Sequence, residues 1–544
     1  MPRYRSLPAA VIIVALCGFA GAYFGHTALS AQDQVSEQYK VFTAGLRAIE
    51  DVYVGDVESD RVVYSAITGL LQTLDPHSSF MDPRAYAQTR ERQEGRYYGL
   101  GITIQVINGD VIIASVFENS PAFESGLRRG DVIARIERED TKGWTSEQTV
   151  GRLKGPRGTF VDISLRRAGY EQLIDLRVRR DEVHIPTVTA AVLLDETTGY
   201  IKLTEFAENS DRELGRALAD LTKRGMKRLV FDLRGNPGGA LDQAILISSR
   251  FLPKGDLIVY TRGRVNGSDQ DYRAQERSDY LTVPMITLVN RSSASASEIV
   301  SGALQDHDRS LVIGETTFGK ALVQSVYRLS RGAAAMITTA RYYTPSGRLI
   351  QRPWDGTFDD YLTYTLRDQD ANKTHRAEDL KLTDAGRKVY SGGGVEPDRR
   401  FDGPTEGFSP GRFARTISAR GLFDVYARRF TRQGDTRVTQ TSAEARREVA
   451  TSYQVTDEML GEFKQLVMQA PMRFDEAGWK TDQAYITAMM QKEIDLDLFG
   501  AARAYEKLAK QDPQLQFALN YFGEAAQLLN TGKNSTATRA ARRN

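Results

Sequence analysis

The chain of 544 residues is 41% hydrophobic and 26% charged, proportions that exclude a disordered chain, a collagen and a protein with many membrane spans. Lysine and arginine number 72 against 70 aspartates and glutamates, so the net charge of +2 provides no basic field for nucleic acid. The single cysteine, Cys17, excludes an internal disulfide framework and any cysteine-based zinc site.

The amino terminus has the pattern of an export signal. Arg3 and Arg5 precede an apolar run from about Ala9 to Phe24, and small residues follow it. A basic start, a short apolar core and a small-residue exit are typical of a secretory signal or an uncleaved signal-anchor. The alternative, a buried helix of the folded domain, is disfavoured by the terminal position and the basic flanks. Residues 1–31 are therefore predicted to direct export, with cleavage left open.

Two different periodicities follow. From Val35 to about Leu74, apolar residues recur at helical spacing, and the turn-rich connection that follows ends at Pro83. From about Tyr97 to near Arg180 the pattern is the alternation of strands, with a hairpin turn at Asn108-Gly109. This second stretch predicts a compact β-rich module.

The rest of the chain divides into a layered and a helical part. Between Gly199 and about Ser346, strand-like runs alternate with helical ones, which predicts crossover connections and a layered α/β core. Beyond Asp398 the pattern is helical, with helix starts at Thr456 and at Asp512-Pro513. Residues 531–544 are polar and basic and are predicted to be a disordered tail.

A turn rich in serine and alanine joins a buried strand, ending at Val289, directly to a helix. This arrangement lifts a side chain off the sheet and places it at a helix amino terminus, where backbone N–H groups favour developing negative charge. Ser295 in this turn is therefore a candidate nucleophile. A serine N-cap is the alternative, since serine is a preferred capping residue.

A serine nucleophile needs a base, and two candidates are close in sequence. His307 lies beside Asp306 and invites a Ser-His-Asp triad, but no Gly-x-Ser-x-Gly elbow accompanies it, and an exposed position after the helix is the simpler expectation. Lys320 lies in an apolar stretch, where burial would favour the neutral amine. Gln324 shares a face with Lys320 and could hold that amine. The alternative is that Lys320 is an ordinary surface lysine.

Two glycine-containing loops allow other chemistries. The segment Gly314–Lys320 nearly spells a phosphate-binding loop, but Ala321 replaces the magnesium-binding hydroxyl and the residues that follow are typical of a strand. The loop Asp232–Gly239 permits close backbone approach, so that Gly238 and Gly239 could direct N–H groups at an oxyanion. A phosphate loop or a simple tight turn remain alternatives for the second loop. The sequence contains no paired-histidine motif of a zinc protease.

Taken together, these segments resemble the carboxy-terminal processing proteases, also called tail-specific proteases, which use a serine-lysine pair. The resemblance covers roughly Val35 to Asp398, and the matching motifs occur in the order that the family has. They are Tyr98–Ile102, Leu153–Thr159, Asp232–Gly239, Ser293–Glu298, Gln305–Asp306, Gly314–Lys320 with Gln324, Thr339–Gly347 and Gly392–Asp398.

The resemblance assigns the candidate catalytic residues. It implies Ser295 as the nucleophile, Lys320 as its base and Gln324 as the residue that supports the lysine. Asp306 matches an aspartate sometimes implicated in the family, with helix capping or a salt bridge as its alternative roles.

The oxyanion donors implied by the resemblance are backbone N–H groups: one from Ala296, and one from Gly238 or Gly239.

The β-rich module resembles a PDZ domain, which implies a site for the carboxyl ends of proteins. The loop formed by Tyr98, Gly99, Leu100, Gly101 and Ile102 would receive a terminal carboxylate on backbone N–H groups, while the tail adds as a strand. Ile102 stands where many PDZ domains carry phenylalanine, which changes the shape of the pocket only.

The resemblance also implies the fold class. We expect an α/β multidomain protein with a layered, crotonase-like protease core, an inserted PDZ domain, N-terminal helices and a C-terminal helical region. The expected domains are a signal peptide or signal-anchor (1–31), an N-terminal helical region (32–94), the PDZ domain (95–182), the protease core (183–400, with an insertion at 350–387), the C-terminal helical region (401–530) and the tail (531–544).

The expected function is that of a serine endopeptidase that captures protein C-terminal tails through its PDZ domain and cleaves through an acyl-enzyme, processing or degrading cell-envelope proteins. A catalytically inactive PDZ scaffold is the alternative, which the presence of Ser295, Lys320 and Gln324 together disfavours. The expected location is the periplasm, with the N-terminal segment as an anchor in the inner membrane. Expected partners are proteins with flexible C-termini, an adaptor or activator protein and further copies of the chain, without nucleic acid, metal or cofactor.

Overall fold

The computed structural model of the protein describes residues 37–117, 119–167, 170–275, 280–354, 361, 375–401, 410–433, 450 and 452–543. The predicted export signal at residues 1–31 and half of the insertion at 350–387 lie outside these residues. Among the helices that are described, none combines the length and the apolar character that crossing a membrane requires. The chain divides into two compact units, one of residues 1–84 and 326–337 and one of residues 85–325 and 338–544.

The first unit is built on two helices and a short antiparallel pairing. Its described elements are α1 (37–52), α2 (Ser59–Gln72) and β1 (Ser79–Met81). β1 pairs antiparallel with residues 334–336, in a register that places Phe80 opposite Ala335. The helical spacing that predicted this region from sequence is confirmed by α2, but α1 leaves many apolar side chains in solvent. The exposed ones are Tyr39, Val41, Phe42, Ile49 and Val52.

The β-rich module begins the second unit. It contains α3 (Pro83–Glu94, which leads into it), β2 (Arg96–Gly99), β3 (Ile102–Ile107), β4 (Asp110–Val116), α4 (Pro121–Glu124), β5 (Val132–Ile136), β6 (Glu139–Asp140), α5 (Ser146–Leu153), β7 (Phe160–Arg166), β8 (Ile174–Arg179) and β9 (Asp181–His184). The sheet order is β3-β4-β5-β7-β8, with β6 on β5, and β2 pairs with β9. Inward-facing residues alternate along these strands, so Val111, Ile113, Ile133 and Val161 form a separate apolar core.

The layered core follows the β-rich module. Its elements are β10 (Val188–Leu193), β11 (Thr198–Leu203), α6 (Ser210–Lys223), β12 (Arg228–Asp232), α7 (Leu241–Ser249), β13 (Leu257–Gly263), β14 (Gln270–Arg273), β15 (Met285–Val289), α8 (Ala296–Asp306), β16 (Leu311–Gly314), β17 (Leu322–Arg328), β18 (Ala334–Tyr343), β19 (Leu380–Leu382), β20 (Lys388–Tyr390) and β21 (Arg399–Arg400). The main sheet has the order β10-β11-β12-β15-β16-β21. Its strands β11, β12, β15, β16 and β21 run parallel to one another. Parallel strands end at the same edge of a sheet, which brings the loops after β12 and β15 side by side.

The two faces of the main sheet are covered by helices from different parts of the chain. Leu203 and Phe231 face α6, α7 and α8, whereas Val230 and Ile286 face a second apolar cluster with residues between Ala509 and Ala525. Every residue of β15 is consequently buried, as the continuous apolar run of a parallel strand predicts. The C-terminal helical region therefore supplies one layer of the core.

The C-terminal region is helical throughout its described part. Its helices are α9 (Arg412–Ala419), α10 (Leu422–Gln433), α11 (Asp457–Gln469), α12 (Glu476–Thr481), α13 (Gln483–Phe499), α14 (Ala501–Gln511), α15 (Pro513–Leu519) and α16 (Phe522–Arg543). The predicted helix starts are confirmed: the Thr456 side chain accepts the Met459 N–H, and Asp512 precedes Pro513 as N-cap.

The last helix differs from the sequence-based expectation. α16 continues to Arg543 and so includes most of the segment predicted as a disordered tail, 531–544. Alanine recurs in this segment, and its high helix propensity compensates for the polar and basic neighbours on which the prediction rested.

One arginine connects the β-rich module to the C-terminal helices. The Arg129 guanidinium lies 2.5 Å from Asp424, 2.5 Å from Glu493 and 2.6 Å from Asp497, and its Nε donates to the Ala114 carbonyl at 3.0 Å. All four charged side chains are at most 16% exposed, so solvent screens the three ion pairs weakly. Arg129 is therefore the electrostatic centre of this interface.

Replacing Arg129 with glutamine should leave three nearly buried carboxylates without their shared cation. Removing one partner of such a pair costs about 3 kcal/mol, and we expect the unfolding temperature to fall by about 4 °C, measured by differential scanning calorimetry. Arg177→Gln is the matched control, because Arg177 pairs with Asp162 at 3.7 Å and both are exposed. Equal shifts for the two variants would contradict this account.

Candidate active site

Ser295 lies on the turn between β15 and α8, as N-cap of the helix, in a conformation that serine rarely adopts. Its φ of +55° and ψ of −114° lie outside the regions open to most L-residues, so the backbone is strained there. Ser295 is partly exposed, whereas the residues on either side of it are buried. The turn therefore presents the Ser295 side chain between two buried neighbours.

Two buried side chains join the segments that carry Ser295 and Lys320. The Glu298 carboxylate accepts the Ser295 N–H at 2.8 Å and the Lys320 N–H at 2.9 Å on one oxygen. The Tyr342 hydroxyl lies 2.6 Å from the Lys320 carbonyl and 3.1 Å from the Ser295 carbonyl. The structure thus brings the two predicted catalytic residues to one place, although 25 positions separate them in the sequence.

Glu298 makes further contacts with the lysine segment. Its second oxygen accepts the Thr317 hydroxyl at 2.5 Å and the Gly319 N–H at 2.7 Å, so four donors converge on one carboxylate that is fully buried. Burial raises the pKa of Glu298 from 4.5 to about 7, although the four hydrogen bonds favour the charged form and oppose this shift.

Lys320 and Gln324 lie together, as their spacing predicts. Lys320 precedes β17, and Gln324 is on that strand, so the two side chains share a face. The Lys320 Nζ lies 2.8 Å from Gln324 Oε1. Both residues are partly exposed, like Ser295. A side-chain amide thus fixes the position of the lysine beside the serine segment.

The loop after β12 is attached to the serine turn by several hydrogen bonds. The Asn236 carbonyl accepts the Ala294 N–H at 3.0 Å and the Ser297 hydroxyl at 2.9 Å, and the Leu233 carbonyl accepts the Ser293 hydroxyl at 2.8 Å. These contacts hold the loop and the turn as one unit.

Gly238 and Gly239 lie in this attached loop, both with positive φ, at +98° and +144°. A Cβ on Gly238 would lie 2.8 Å from both Ser295 Cβ and the Ala296 nitrogen, so only glycine fits against the serine turn. The Gly238 N–H donates to the Asn236 side chain at 2.9 Å. Within the described residues, the N–H groups of Gly239 and Ala296 have no hydrogen-bond partner, which makes them the available donors.

His307 has a different environment from the exposed one expected of it. Its side chain is 9% exposed, with Nδ1 at 2.8 Å from Asp384 and Nε2 at 2.7 Å from the Leu257 carbonyl. Burial alone would lower the pKa of His307, but Asp384 raises it above its ordinary value. Because His307 ends the helix that Ser295 begins, and both ring nitrogens are engaged, it is not placed to act on Ser295.

Asp306 also lies at the far end of α8 from Ser295. Its carboxylate pairs with the buried Arg348 and accepts the Ser346 N–H at 2.9 Å. This position agrees with the salt-bridge alternative and places Asp306 in the support of the turn after β18.

The glycine loop Gly314–Lys320 does not offer a phosphate site. The N–H groups of Gly319 and Lys320 already donate to Glu298, and the segment that follows is a strand, β17, as predicted. A phosphate-binding loop needs free N–H groups and a following helix. The nucleotide-binding alternative therefore has no structural support.

The loop predicted to bind a carboxylate, Tyr98–Ile102, packs closely against the rest of the β-rich module. Leu100 is buried and Gly101 has a φ of +86°, where a Cβ would lie 2.2 Å from Ser120 Cβ. Tyr98 is exposed, Gly99 pairs with Asp181, and Ile102 begins β3 opposite Val116. Tight packing behind the loop thus fixes the course of its backbone.

Tyr97 lies against the same loop. A Cβ added to Gly99 would lie 2.8 Å from a carbon of the Tyr97 ring, so the ring packs directly against this glycine. The Lys154 Nζ lies 4.7 Å from the ring centroid. Burial raises the pKa of Tyr97 to about 12, although backbone hydrogen bonds from Gly101 and Ile102 oppose the shift. The loop is thus bordered by an aromatic ring and by Lys154, which pairs with Glu91.

Sequence reasoning did not assign a role to Glu298, Asn236 or Tyr342. The spacing Ser295-x-x-Glu298 is that of a capping box, which could have identified the first of them. Asn236 and Tyr342 act through contacts between distant segments, which no local pattern reveals.

Comparison with known proteins shows which families the chain resembles. The model of peptidase family S41 matches residues 197–362, and the PDZ domain model matches residues 88–166. A carboxy-terminal-processing protease of Bartonella bacilliformis is 38% identical over 303 residues, which cover 55% of this chain and 69% of that protein. The carboxy-terminal processing protease CtpA of Bacillus subtilis is 33% identical over 390 residues, 70% of this chain and 82% of that protein. Among solved structures, the photosystem II D1 C-terminal processing protease is 26% identical, with a TM-score of 0.33, over 66% of this chain and 92% of that chain.

The raised pKa of Glu298 predicts a pH-dependent stability. The folded protein retains the proton up to about pH 7, whereas the ordinary carboxyl releases it near 4.5. The stabilisation from this proton is therefore complete below pH 4.5 and is lost as the pH rises through 7, amounting to about 3 kcal/mol of unfolding free energy. Denaturant titrations between pH 4.5 and 8 should show this decline in the parent and not in Glu298→Gln. The exposed Glu378→Gln should keep it, and a decline that persists in Glu298→Gln would contradict the assignment.

Proposed function

The chain belongs to the carboxy-terminal processing proteases, serine peptidases of family S41 that carry a PDZ domain, and we propose that it cleaves by a Ser295–Lys320 mechanism. The observation that carries the proposal is the double connection through Glu298 and Tyr342, which joins the serine and lysine segments at one partly exposed place. The Gln324 side chain holds the Lys320 amine, and the Tyr342 hydroxyl fixes the Lys320 carbonyl.

The proposed reaction has two halves. The neutral Lys320 amine takes the proton of the Ser295 hydroxyl as the oxygen attacks the peptide carbonyl, and the ammonium then gives that proton to the leaving amine. Water, deprotonated by the same amine, hydrolyses the acyl-enzyme, and the proton returns to Ser295. The N–H groups of Gly239 and Ala296 are the proposed oxyanion donors, because neither has a hydrogen-bond partner in the described part of the chain, whereas that of Gly238 is engaged.

Proteins with flexible C-termini are the proposed substrates. The PDZ loop Tyr98–Ile102 receives the terminal carboxylate, and the tail adds as a strand beside β3. Support for this comes from the course of the loop, which Gly101 and the buried Leu100 determine. Cell-envelope proteins are the proposed class of substrate, in keeping with the export pattern of residues 1–31, which also underlies the proposed periplasmic location and inner-membrane anchor.

Further copies of the chain are proposed as partners through the first unit. The apolar residues that α1 exposes, among them Tyr39 and Val52, support this proposal, because so many exposed apolar side chains on one helix are typical of an interaction surface. An adaptor or activator protein is proposed as a further partner, on the family resemblance alone.

Substitution of the two catalytic residues tests the mechanism. We expect the parent to cleave a folded reporter with an unstructured C-terminal tail, and Ser295→Ala and Lys320→Ala each to lose at least a thousandfold in rate. Mass spectrometry of the products gives the cleavage sites. Ser292→Ala is the matched control, since Ser292 lies in the same turn and is partly exposed, and Lys388→Ala controls for loss of a lysine. Cleavage that survives Lys320→Ala would exclude the lysine as base.

Tail capture makes a second prediction. Peptides that end in a free carboxylate should lower the rate on the reporter, because they compete with its tail for the PDZ loop, whereas the same peptides with an amidated end should not. Steady-state rates at increasing peptide concentration measure the effect. Equal activity in a variant without residues 97–180 would contradict a role for the module, and binding of free-carboxylate tails by a parent that never cleaves would favour the inactive scaffold.

A further inference from the structure

The start of α15 reaches the loop that carries Gly238 and Gly239. Asp512 is the N-cap of α15, where one oxygen accepts the Gln514 N–H at 3.0 Å and the Leu515 N–H at 3.1 Å. Its other oxygen lies 2.7 Å from the Arg234 guanidinium. One carboxylate therefore both begins a helix of the C-terminal region and holds an arginine of the loop after β12.

Arg234 lies between two carboxylates. Its Nε donates to Asp232 at 2.9 Å and its Nη2 to the second oxygen of Asp232 at 2.7 Å, while Asp512 approaches the same Nη2. Asp232 is completely buried and also accepts the Tyr200 hydroxyl at 2.7 Å. The guanidinium is thus held on two sides, and only one of the two carboxylates belongs to its own loop.

Gln514 connects the same helix to both catalytic segments. Its Oε1 accepts from Arg234 at 3.2 Å, and its Nε2 donates to the Val289 carbonyl at 3.3 Å. Val289 is the last residue of β15, the strand that runs into the Ser295 turn. A single side-chain amide therefore bridges the end of the serine strand and the start of the loop after β12.

From these contacts we propose that Asp512 and Gln514 are positioning residues, which act through Arg234 to set the place of the Gly239 N–H relative to Ser295. The inference rests on the proposed function, in which the Gly239 N–H stabilises the oxyanion. Residues 233–239 are already attached to the serine turn at Leu233 and Asn236, so a shift of Arg234 is transmitted along a short and well-connected loop.

Attachment of α15 does not itself depend on these polar contacts. Leu515 and Ala518 are fully buried against the main sheet. Asparagine is as good an N-cap as aspartate, so Asp512→Asn keeps the cap and the apolar packing and removes only the charge that faces Arg234. This substitution therefore separates a positioning role from a merely structural one.

We expect Asp512→Asn to lower kcat about tenfold with KM within twofold, because the transition-state oxyanion loses alignment while tail capture is unaffected. Asp475→Asn is the matched control: Asp475 is the N-cap of α12, far from the site in sequence and without a contact to Arg234 among the described residues, and its kcat should equal that of the parent. In an Arg234→Gln background, Asp512→Asn should cause no further loss.

Hydrogen exchange gives a readout that does not need activity. The backbone amides of residues 234–240 should exchange faster in Asp512→Asn than in the parent or in Asp475→Asn. Unchanged exchange and unchanged kcat would overturn the inference, and so would losses from Asp512→Asn and Arg234→Gln that multiply. A parent without peptidase activity would refute the proposed function instead, and the exchange of residues 234–240 would still decide the positioning inference.

Discussion

The site depends on the side chain of Glu298, which can be buried in the core because it accepts four hydrogen bonds. Burying the side chain of Glu298 is costly, and the cost is offset only where the N–H groups of Ser295, Gly319 and Lys320 and the Thr317 hydroxyl all reach it. Any displacement of the lysine segment from the serine turn leaves these donors and acceptors unpaired. The relative position of the serine turn and the lysine segment is thus specified by the requirement to satisfy a buried carboxyl group, and the strained backbone of Ser295 is held by the same requirement.

The parallel sheet gives this arrangement its frame. Because β12, β15 and β16 end at one edge, the loop with the glycines, the serine turn and the lysine segment emerge next to each other. Both faces of the sheet are apolar, so the frame needs two layers of helices, and α14 to α16 provide the second. The C-terminal region, which the sequence predicts only as a series of helices, has the role of a core layer.

The elements that sequence predicted are those whose determinants are local. The alternation of Ile102, Ile104 and Val106, the caps at Thr456 and Asp512 and the strand after Lys320 follow from periodicity and capping, and the structure has them. The proposed catalytic pair, Ser295 and Lys320, came from the family resemblance and not from any local pattern. What escaped prediction depends on distant partners: His307 pairs with Asp384, 77 residues away, and Arg234 with Gln514, 280 residues away. The choice of Gly239 over Gly238 as oxyanion donor depends on the Asn236 side chain, which accepts the Gly238 N–H.

The position of α15 along the chain bears on when the protein can become active. A ribosome makes the serine turn and the lysine segment well before it makes Asp512 and the apolar residues that cover the second face of the sheet. Until those helices have emerged, the sheet has one uncovered apolar face and the loop after β12 lacks its outer support. A nascent chain therefore lacks the second helical layer of the core until its last helices have been made, so the polypeptide must be complete before it can fold as a whole.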